Sequence, residues 1–339
     1  MDTTILPPGR LQEGHTYPQF LSHEANRYIF RVHRQYGRGR LIPGIGFVAR
    51  AYDKDPETAV NVRHHESRNE LSADASAHIT QWNDGTYSSL QSQFISASFS
   101  LAYALFEGHR WDDLFRCQST QISVIDPTKI PGDAWLATEL IGVEGSPANR
   151  APRFARWAQE VLVYVNIPDE AVVFTAPVET YYHTLLPEWC DPVTDLIASR
   201  TLKSTEAVVD ALGDVARSCT AERERKLVDY VVEKCVEAFD QGTFNKHNNS
   251  PHNVVWLAAL FCWWPKRMRR VHPREFAELK DLVRRKVESQ LKIEVTVFAQ
   301  AATPEPMEKV IVPPNAYGEL VESYDDQHES SCSGRCVAM

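Results

Sequence analysis

No stretch of this chain is apolar for long enough to cross a bilayer. The longest uninterrupted apolar run, Val254 to Trp264, falls far short of the ~20 residues a spanning helix needs. The opening residues, Met1-Asp2-Thr3-Thr4-Ile5-Leu6-Pro7-Pro8, carry neither the basic start nor the apolar stretch of a secretion signal, so a cytoplasmic protein is expected. Cysteine is sparse as well. There are seven in 339 residues and no Cys-x-x-Cys, which gives no sign of a disulfide framework or a zinc ribbon. Five of them (Cys117, Cys190, Cys219, Cys235 and Cys262) stand singly in apolar or helical contexts and read as small buried hydrophobes. Gly-x-x-x-x-Gly-Lys does not occur, and Gly37-Arg38-Gly39-Arg40 and Gly44-Ile45-Gly46 lack the third glycine of a dinucleotide fingerprint. His64-His65 has no partner at metal-ligand spacing, so no metal site is expected. Positive charge is in deficit too: a net charge of −9 argues against a general nucleic-acid binder.

What is present is an ordinary globular composition, 43% hydrophobic and 24% charged, which excludes wholesale disorder. From Tyr28 to about Phe174 the apolar residues form short β-branched runs. Tyr28–Val32, Gln121–Ile125 and Glu160–Val165 read as strands, with Asp126-Pro127 and Ile167-Pro168-Asp169 supplying turn chemistry. Helical patterns lie between them at Ala73–Trp82 after Ser72, Ser100–His109 and Asp133–Val143. The fold class is therefore α+β. From Asp191 to Gln290 the period becomes helical: Leu227, Val231, Cys235 and Phe239 recur at four-residue steps, and Phe276, Leu279, Val283 and Val287 share a face. Pro273 is expected to begin the last helix and Pro265 to end the one before it. The expected organisation is a lead segment 1–26, a mixed domain 27–185, a helical domain 186–300 and a flexible tail 301–339. Ile293–Phe298 is read as a short strand before that tail.

Three separated segments of the mixed domain resemble the enterotoxin-like, Arg-Ser-Glu branch of the ADP-ribosyltransferase superfamily. Phe30-Arg31-Val32-His33 is similar to that family's aromatic-Arg first strand. Ser92-Gln93-Phe94-Ile95-Ser96, followed by a helix, looks like its Ser-Thr-Ser-Ile-Ser strand. Gln159-Glu160-Val161-Leu162-Val163, leading to Asn166-Ile167-Pro168 and Ala171-Val172-Val173, resembles its Gln-Glu-Val strand and Ile-Pro turn. The same ordered set is similar to a group of fungal proteins of unassigned function. The resemblance implies a split β-sandwich with flanking helices that takes NAD as substrate, without a metal. Glu160 would be the catalytic carboxylate, Arg31 would hold the NAD phosphates, and Ser92 and Ser96 would brace the site. The chemistry suits those types: breaking the nicotinamide–ribose bond builds positive charge on the sugar, which a carboxylate stabilises, and a guanidinium fork matches phosphate oxygens. Two positions before Glu160, where arginine-modifying members carry a second acid, stands Ala158. The resemblance thus leaves two readings, an NAD-cleaving enzyme with a protein or other acceptor, and a non-catalytic interaction module.

Trp263 to Arg270 mixes aromatics with cations and reads first as a helix C-terminus, which favours positive charge. The chain ends Cys336-Val337-Ala338-Met339, a match to the prenylation box, with Met favouring farnesyl. One prenyl chain holds a membrane only marginally, so Cys332 is the expected palmitoyl site. The expected location is the cytoplasm, at a membrane surface through that lipid.

Overall fold

The computed structural model describes residues 16–22, 24–61, 68–80, 91–115, 120–130, 133–142, 151–181, 207, 210–211, 220–244, 248–267 and 273–292, all within one compact unit, Met1–Val295. The expected boundary at 185/186, the strand Ile293–Phe298, His64-His65, and the tail with Cys332 and Cys336 lie outside the described residues.

Among the described residues eight strands form two antiparallel sheets: β1 (Ile29–Arg34), β2 (Gly46–Val48), β3 (Phe94–Ser98), β4 (Thr120–Ile125), β5 (Ala134–Leu136), β6 (Glu160–Tyr164), β7 (Asn166–Pro168) and β8 (Val172–Pro177). The larger sheet runs β5-β6-β3-β1-β4-β8, and the smaller is β2-β7. With helices α1 (Tyr17–Leu21), α2 (Pro56–Asn61), α3 (Arg68–Thr80), α4 (Leu101–Phe115), α5 (Ala137–Ile141) and α6 (Ala151–Ala158), the expected α+β class is observed.

Strand alternation sorts the side chains into two cores. On one face Ile95, Ala97, Val161 and Val163 pack with Phe47 and Ile167 of the small sheet and with Tyr17 and Phe20 of α1. On the other, Phe94, Leu162 and Tyr164 meet Leu71, Ala75 and Ile79 of α3 and Ala151 and Ala155 of α6. The large sheet is not uniformly zipped. β1 pairs with β4 from Ile29↔Ile125 to Arg34↔Thr120, whereas among the described residues β1 meets β3 at the single register Phe30↔Ser98. The sheet therefore splays between β1 and β3.

The chain crosses from the large sheet to the small one at Val165, a buried β-branched residue at φ +65°. That backbone is costly for valine, and it is held by Val165 N–H donating to Gln93 C=O (2.8 Å) and Val165 C=O accepting from Ala49 N–H (2.7 Å).

The described residues of the same unit also hold three longer helices, α8 (Ala221–Asp240), α9 (Pro251–Arg267) and α10 (Pro273–Leu291), with α7 (Val178–Thr180) before them. Along α9 every residue from Asn253 to Trp263 is buried, as befits a central helix apolar on all sides. The group docks on the β4–β8 side of the sheet through Phe174–Phe244 and Tyr181–Phe261 ring contacts. Tyr28 Oη also donates to Asn253 Oδ1 (3.3 Å), and Arg27 pairs with Asp126 (2.8 Å) beneath Trp256.

The structure corrects three local expectations. Asp133–Val143 is not one helix: Ala134, Trp135 and Leu136 extend the sheet opposite Val163, Leu162 and Val161, and Glu139 Oε2 then starts α5 by accepting from Leu136 N–H (2.7 Å). The helix expected to start at Ala73, after Ser72, takes in Ser72 itself. α3 begins at Arg68, and the Ser72 hydroxyl donates to Leu140 C=O (2.6 Å). Pro265 does not end its helix, which runs to Arg267, because a proline in a last turn sacrifices only one backbone bond among several.

Gly46 sits at φ +101°, and a Cβ there would lie 2.1 Å from Ile167 O. Gly46→Ala is expected to break the β2–β7 pair and cost about 3 kcal/mol or more. Gly44→Ala, at φ +79° with open space around it, should cost only the left-handed penalty of about 1 kcal/mol. Thermal unfolding of the two variants checks this, and equal losses would disprove it.

Candidate functional site

Glu160 opens β6 directly after Gln159, which is buried and held at φ +46°. That left-handed residue ends α6: Gln159 N–H donates to Arg156 C=O (3.3 Å), and its own carbonyl accepts from Phe99 N–H (3.2 Å). The register places Ser98 opposite Glu160 and Ser96 opposite Leu162. Ser96 is thus the diagonal neighbour of Glu160 on the helix-covered face, within side-chain reach.

The hydrogen bonds join these residues in one directed chain. Phe94 N–H donates to Ser92 Oγ (3.1 Å). Ser92 Oγ meets His78 Nδ1 (2.7 Å), and His78 Nε2 meets Ser96 Oγ (2.7 Å). Ser96 Oγ donates to Glu160 Oε1 (2.7 Å). A hydroxyl has one proton, and Ser96 spends it on Glu160, so Ser96 accepts from His78 Nε2–H. His78 Nδ1 then accepts from Ser92. Burial, and then the nearby Arg31 charge, push the His78 pKa down to about 3, which keeps the ring neutral at ordinary pH.

Arg31 reaches the same serine from β1. Its Nη1 donates to Ser96 C=O (2.7 Å), and its Nη2 donates to Gly39 C=O (3.4 Å). The guanidinium lies over the Phe47 ring, 4.9 Å from the centroid, and His33, two residues along β1, meets the same ring edge-on at 4.8 Å. His33 is fixed by donating from Nδ1 to Arg34 C=O (3.0 Å) and accepting at Nε2 from Ser123 Oγ (2.9 Å). Its pKa is likewise pushed down to about 3, mainly by burial.

Glu160 is only 4% exposed, and its Oε2 has no hydrogen-bond partner among the described residues. Burial is the largest influence and lifts its pKa to about 7, with the Ser96 hydroxyl opposing and the charge of Glu107 adding to the rise. Glu107 is itself buried on α4, where it accepts from Arg110 Nε (2.8 Å) and Trp111 Nε1 (2.8 Å). The Tyr103 hydroxyl is held neutral well above its usual range, first by burial and then by the charges of Glu107 and Glu160.

Of the residues picked from sequence, Arg31, Ser92, Ser96 and Glu160 therefore stand in one connected network. Arg31 touches Ser96 through the backbone carbonyl, and Glu160 touches it through the hydroxyl. Ala158 ends α6 and is 1% exposed, so that position presents its methyl to the core. Cys235 and Cys262 are buried free thiols, as expected of small hydrophobes. Sequence reasoning missed His78, Tyr103 and Glu107. His78 had a legible signal: it falls on the apolar stripe of α3 beside Leu71, Ala75 and Ile79, where a polar residue needs a buried partner. Among the described residues no group of His, Cys, Asp and Glu could hold a metal ion, and no helix is long and apolar enough to cross a membrane.

A family model described as a domain of unknown function, DUF7587, matches residues 24–181, a span that takes in both sheets and every residue of this network. No curated protein and no solved structure matches the chain.

The raised Glu160 pKa fixes the sign of a pH effect. The folded state holds this proton more tightly than the unfolded chain, so the contribution to stability is full below about 4.5 and is lost as pH rises to about 7. Relative to Glu160→Gln, the wild type should lose on the order of 3 kcal/mol across that interval. His33 and His78, depressed below 6.5, act oppositely at lower pH and cancel in the comparison. Parallel pH profiles for the two proteins in denaturant titrations would refute the assignment.

Proposed function

We propose that this protein cleaves the nicotinamide–ribose bond of NAD, as a mono-ADP-ribosyltransferase or a glycohydrolase-like enzyme. The observation that carries the reading is the junction at Ser96, which joins Arg31 from β1 to Glu160 from β6 across 65 and 64 residues of sequence. The splay between β1 and β3 supports the finer fold reading, a split β-sandwich of the ADP-ribosyltransferase type.

In this proposal the C–N bond to nicotinamide breaks with its electron pair leaving on the base, and positive charge develops on the ribose. The ionised Glu160 carboxylate stabilises that charge, and its partnerless Oε2 takes a ribose hydroxyl. Water or an acceptor nucleophile then bonds to the sugar carbon and gives up a proton. Arg31 exchanges its long 3.4 Å contact to Gly39 C=O for a phosphate oxygen while keeping the bond to Ser96. Ser92 and Ser96, with His78 between them, hold the Glu160 carboxyl in place. With Ala158 buried, no second side chain there orients an arginine acceptor, so the acceptor is proposed to be of another kind.

A second reading, a non-catalytic interaction module on a degenerate version of this fold, draws on one observation: Glu160 is almost wholly buried. Nicotinamide release from NAD by the purified protein decides between the two. Under the first reading the rate rises as pH passes through about 7, where Glu160 ionises. Glu160→Gln lowers kcat by about 100-fold or more, and Arg31→Lys raises KM by about tenfold through loss of the fork. Absence of turnover together with absence of NAD binding by calorimetry would leave the module reading standing.

A membrane tether is a separate proposal. If translation stops at Met339, Cys336 is farnesylated and Cys332 adds a second anchor. Intact-mass measurement of protein from a eukaryotic host should show loss of three residues with gain of a lipid, and an unmodified terminus would remove the tether.

A further inference from the structure

The charge of this protein is unevenly spread. Although the net charge is −9, the stretch from Arg27 to Tyr52 contains six arginines and no acidic residue. Three of them, Arg34, Arg38 and Arg40, bracket the loop that follows β1. Arg38 is exposed, with the Asp53 carboxyl close enough to feel its charge, and Arg40 is half-buried with its Nη1 donating to Gly37 C=O (3.4 Å). Between them and the strand stands Tyr36, 68% exposed, the one exposed large hydrophobic side chain among the described residues.

The loop is shaped rather than slack. Gly37 and Gly39 take φ of +82° and +70°, a backbone open to glycine at little steric cost. Gly39 is pinned from two sides, its carbonyl accepting from Arg31 Nη2 and its N–H bonding the Asp53 carboxyl. Tyr36 and Arg38 are exposed on this loop, which the Gly39 contact ties to Arg31.

We infer that the 34–40 loop is a docking surface for a single-stranded nucleic acid, with Tyr36 stacking on a base and Arg38 and Arg40 meeting successive phosphates. An aromatic face beside guanidinium groups supplies the two contacts such strands use, sequence-tolerant stacking and backbone neutralisation. The exposure favours a strand over a small nucleotide, because small ligands are mostly enclosed by their sites while Tyr36 projects into solvent. It favours a strand over a lipid surface as well, because a single exposed aromatic gives little apolar area to insert. The local excess of positive charge also operates against a negative remainder, which confines a polyanion to this edge. Strand binding is read without NAD, so its outcome is independent of the proposed NAD cleavage.

The test is fluorescence anisotropy of the full chain with a labelled single-stranded oligonucleotide of about 12 residues, at about 50 and 200 mM salt. The wild type is expected to bind the strand more tightly than a duplex of the same sequence. The double variant Arg38→Gln/Arg40→Gln should bind at least tenfold more weakly, with the log–log salt slope smaller by about 1.4, two phosphates at ~0.7 each. Tyr36→Ala should weaken binding about tenfold and leave the slope unchanged, while Tyr36→Phe restores it. Tyr36 and Arg38 are exposed and Arg40 is half-buried, and circular dichroism verifies that the variants fold. Four results would overturn the inference: no strand binding by the wild type, equal binding by the variants, capture by phosphatidylserine vesicles instead of the strand, or displacement of the strand by millimolar NAD with the same sensitivity to the double variant.

Discussion

The large sheet parts between β1 and β3, and the arrangement around Glu160 depends on how that opening is closed. In a continuous ladder the Ser96 carbonyl would accept from a neighbouring strand. Here it accepts from the Arg31 guanidinium, which spans the gap that a single backbone register leaves. A cation is therefore built into the sheet at its least zipped point, with the aromatic ring of Phe47 beneath it. The same contact lays the small sheet against β1, because Phe47 belongs to β2 and touches both Arg31 and His33. Removing the guanidinium would strip a partner from a strand carbonyl and loosen the seam between the two sheets together.

Around that seam the backbone departs from its comfortable conformations. Val165 and Gln159 hold positive φ at the two ends of β6, one where the chain leaves the large sheet and one where it enters. Both are buried and tied by backbone hydrogen bonds, the condition under which such strain persists. The consequence is positional. Gln159 ends α6 sharply enough for Glu160 to begin the strand at once, under cover of the helices, and burial then raises the Glu160 pKa. The neutral His78 and its two serines answer the same need from the other side, since a buried carboxyl keeps its place only when its hydrogen bonds are supplied.

The helical portion leans on the sheet through a mixed polar and aromatic seam. Asn248 donates from Nδ2 to Glu170 C=O (2.8 Å) and Val172 C=O (2.7 Å), Lys280 pairs with Glu24 (2.8 Å) while lying over Trp256, and Arg27, paired with Asp126, lies 5.5 Å from the Trp256 ring centroid. These contacts involve strand ends and connections, and the described helices of this portion lie on the sheet's β4–β8 side. The basic loop after β1 is pinned at Gly39 to the same Arg31 that closes the sheet.

Much of this architecture was legible in local pattern. Period-two runs marked β1, β4 and β6, and period-four spacing marked α8 and α10, because alternation and helical repeat are imposed by backbone geometry alone. Arg31, Ser92, Ser96 and Glu160 could be picked out by residue type and order along the chain. Their meeting could not, since it depends on the β3–β6 register and on the opening between β1 and β3, pairings between residues more than sixty positions apart. Tertiary packing alone decided that Ala134–Leu136 is a strand, because only β6 supplies its hydrogen-bond partners. It also decided that His78 is a neutral link and Glu160 a carboxyl with a raised pKa, since both follow from burial. Sequence determined which side chains were available to this site; the tertiary structure decided their neighbours, and through those neighbours their protons and charge.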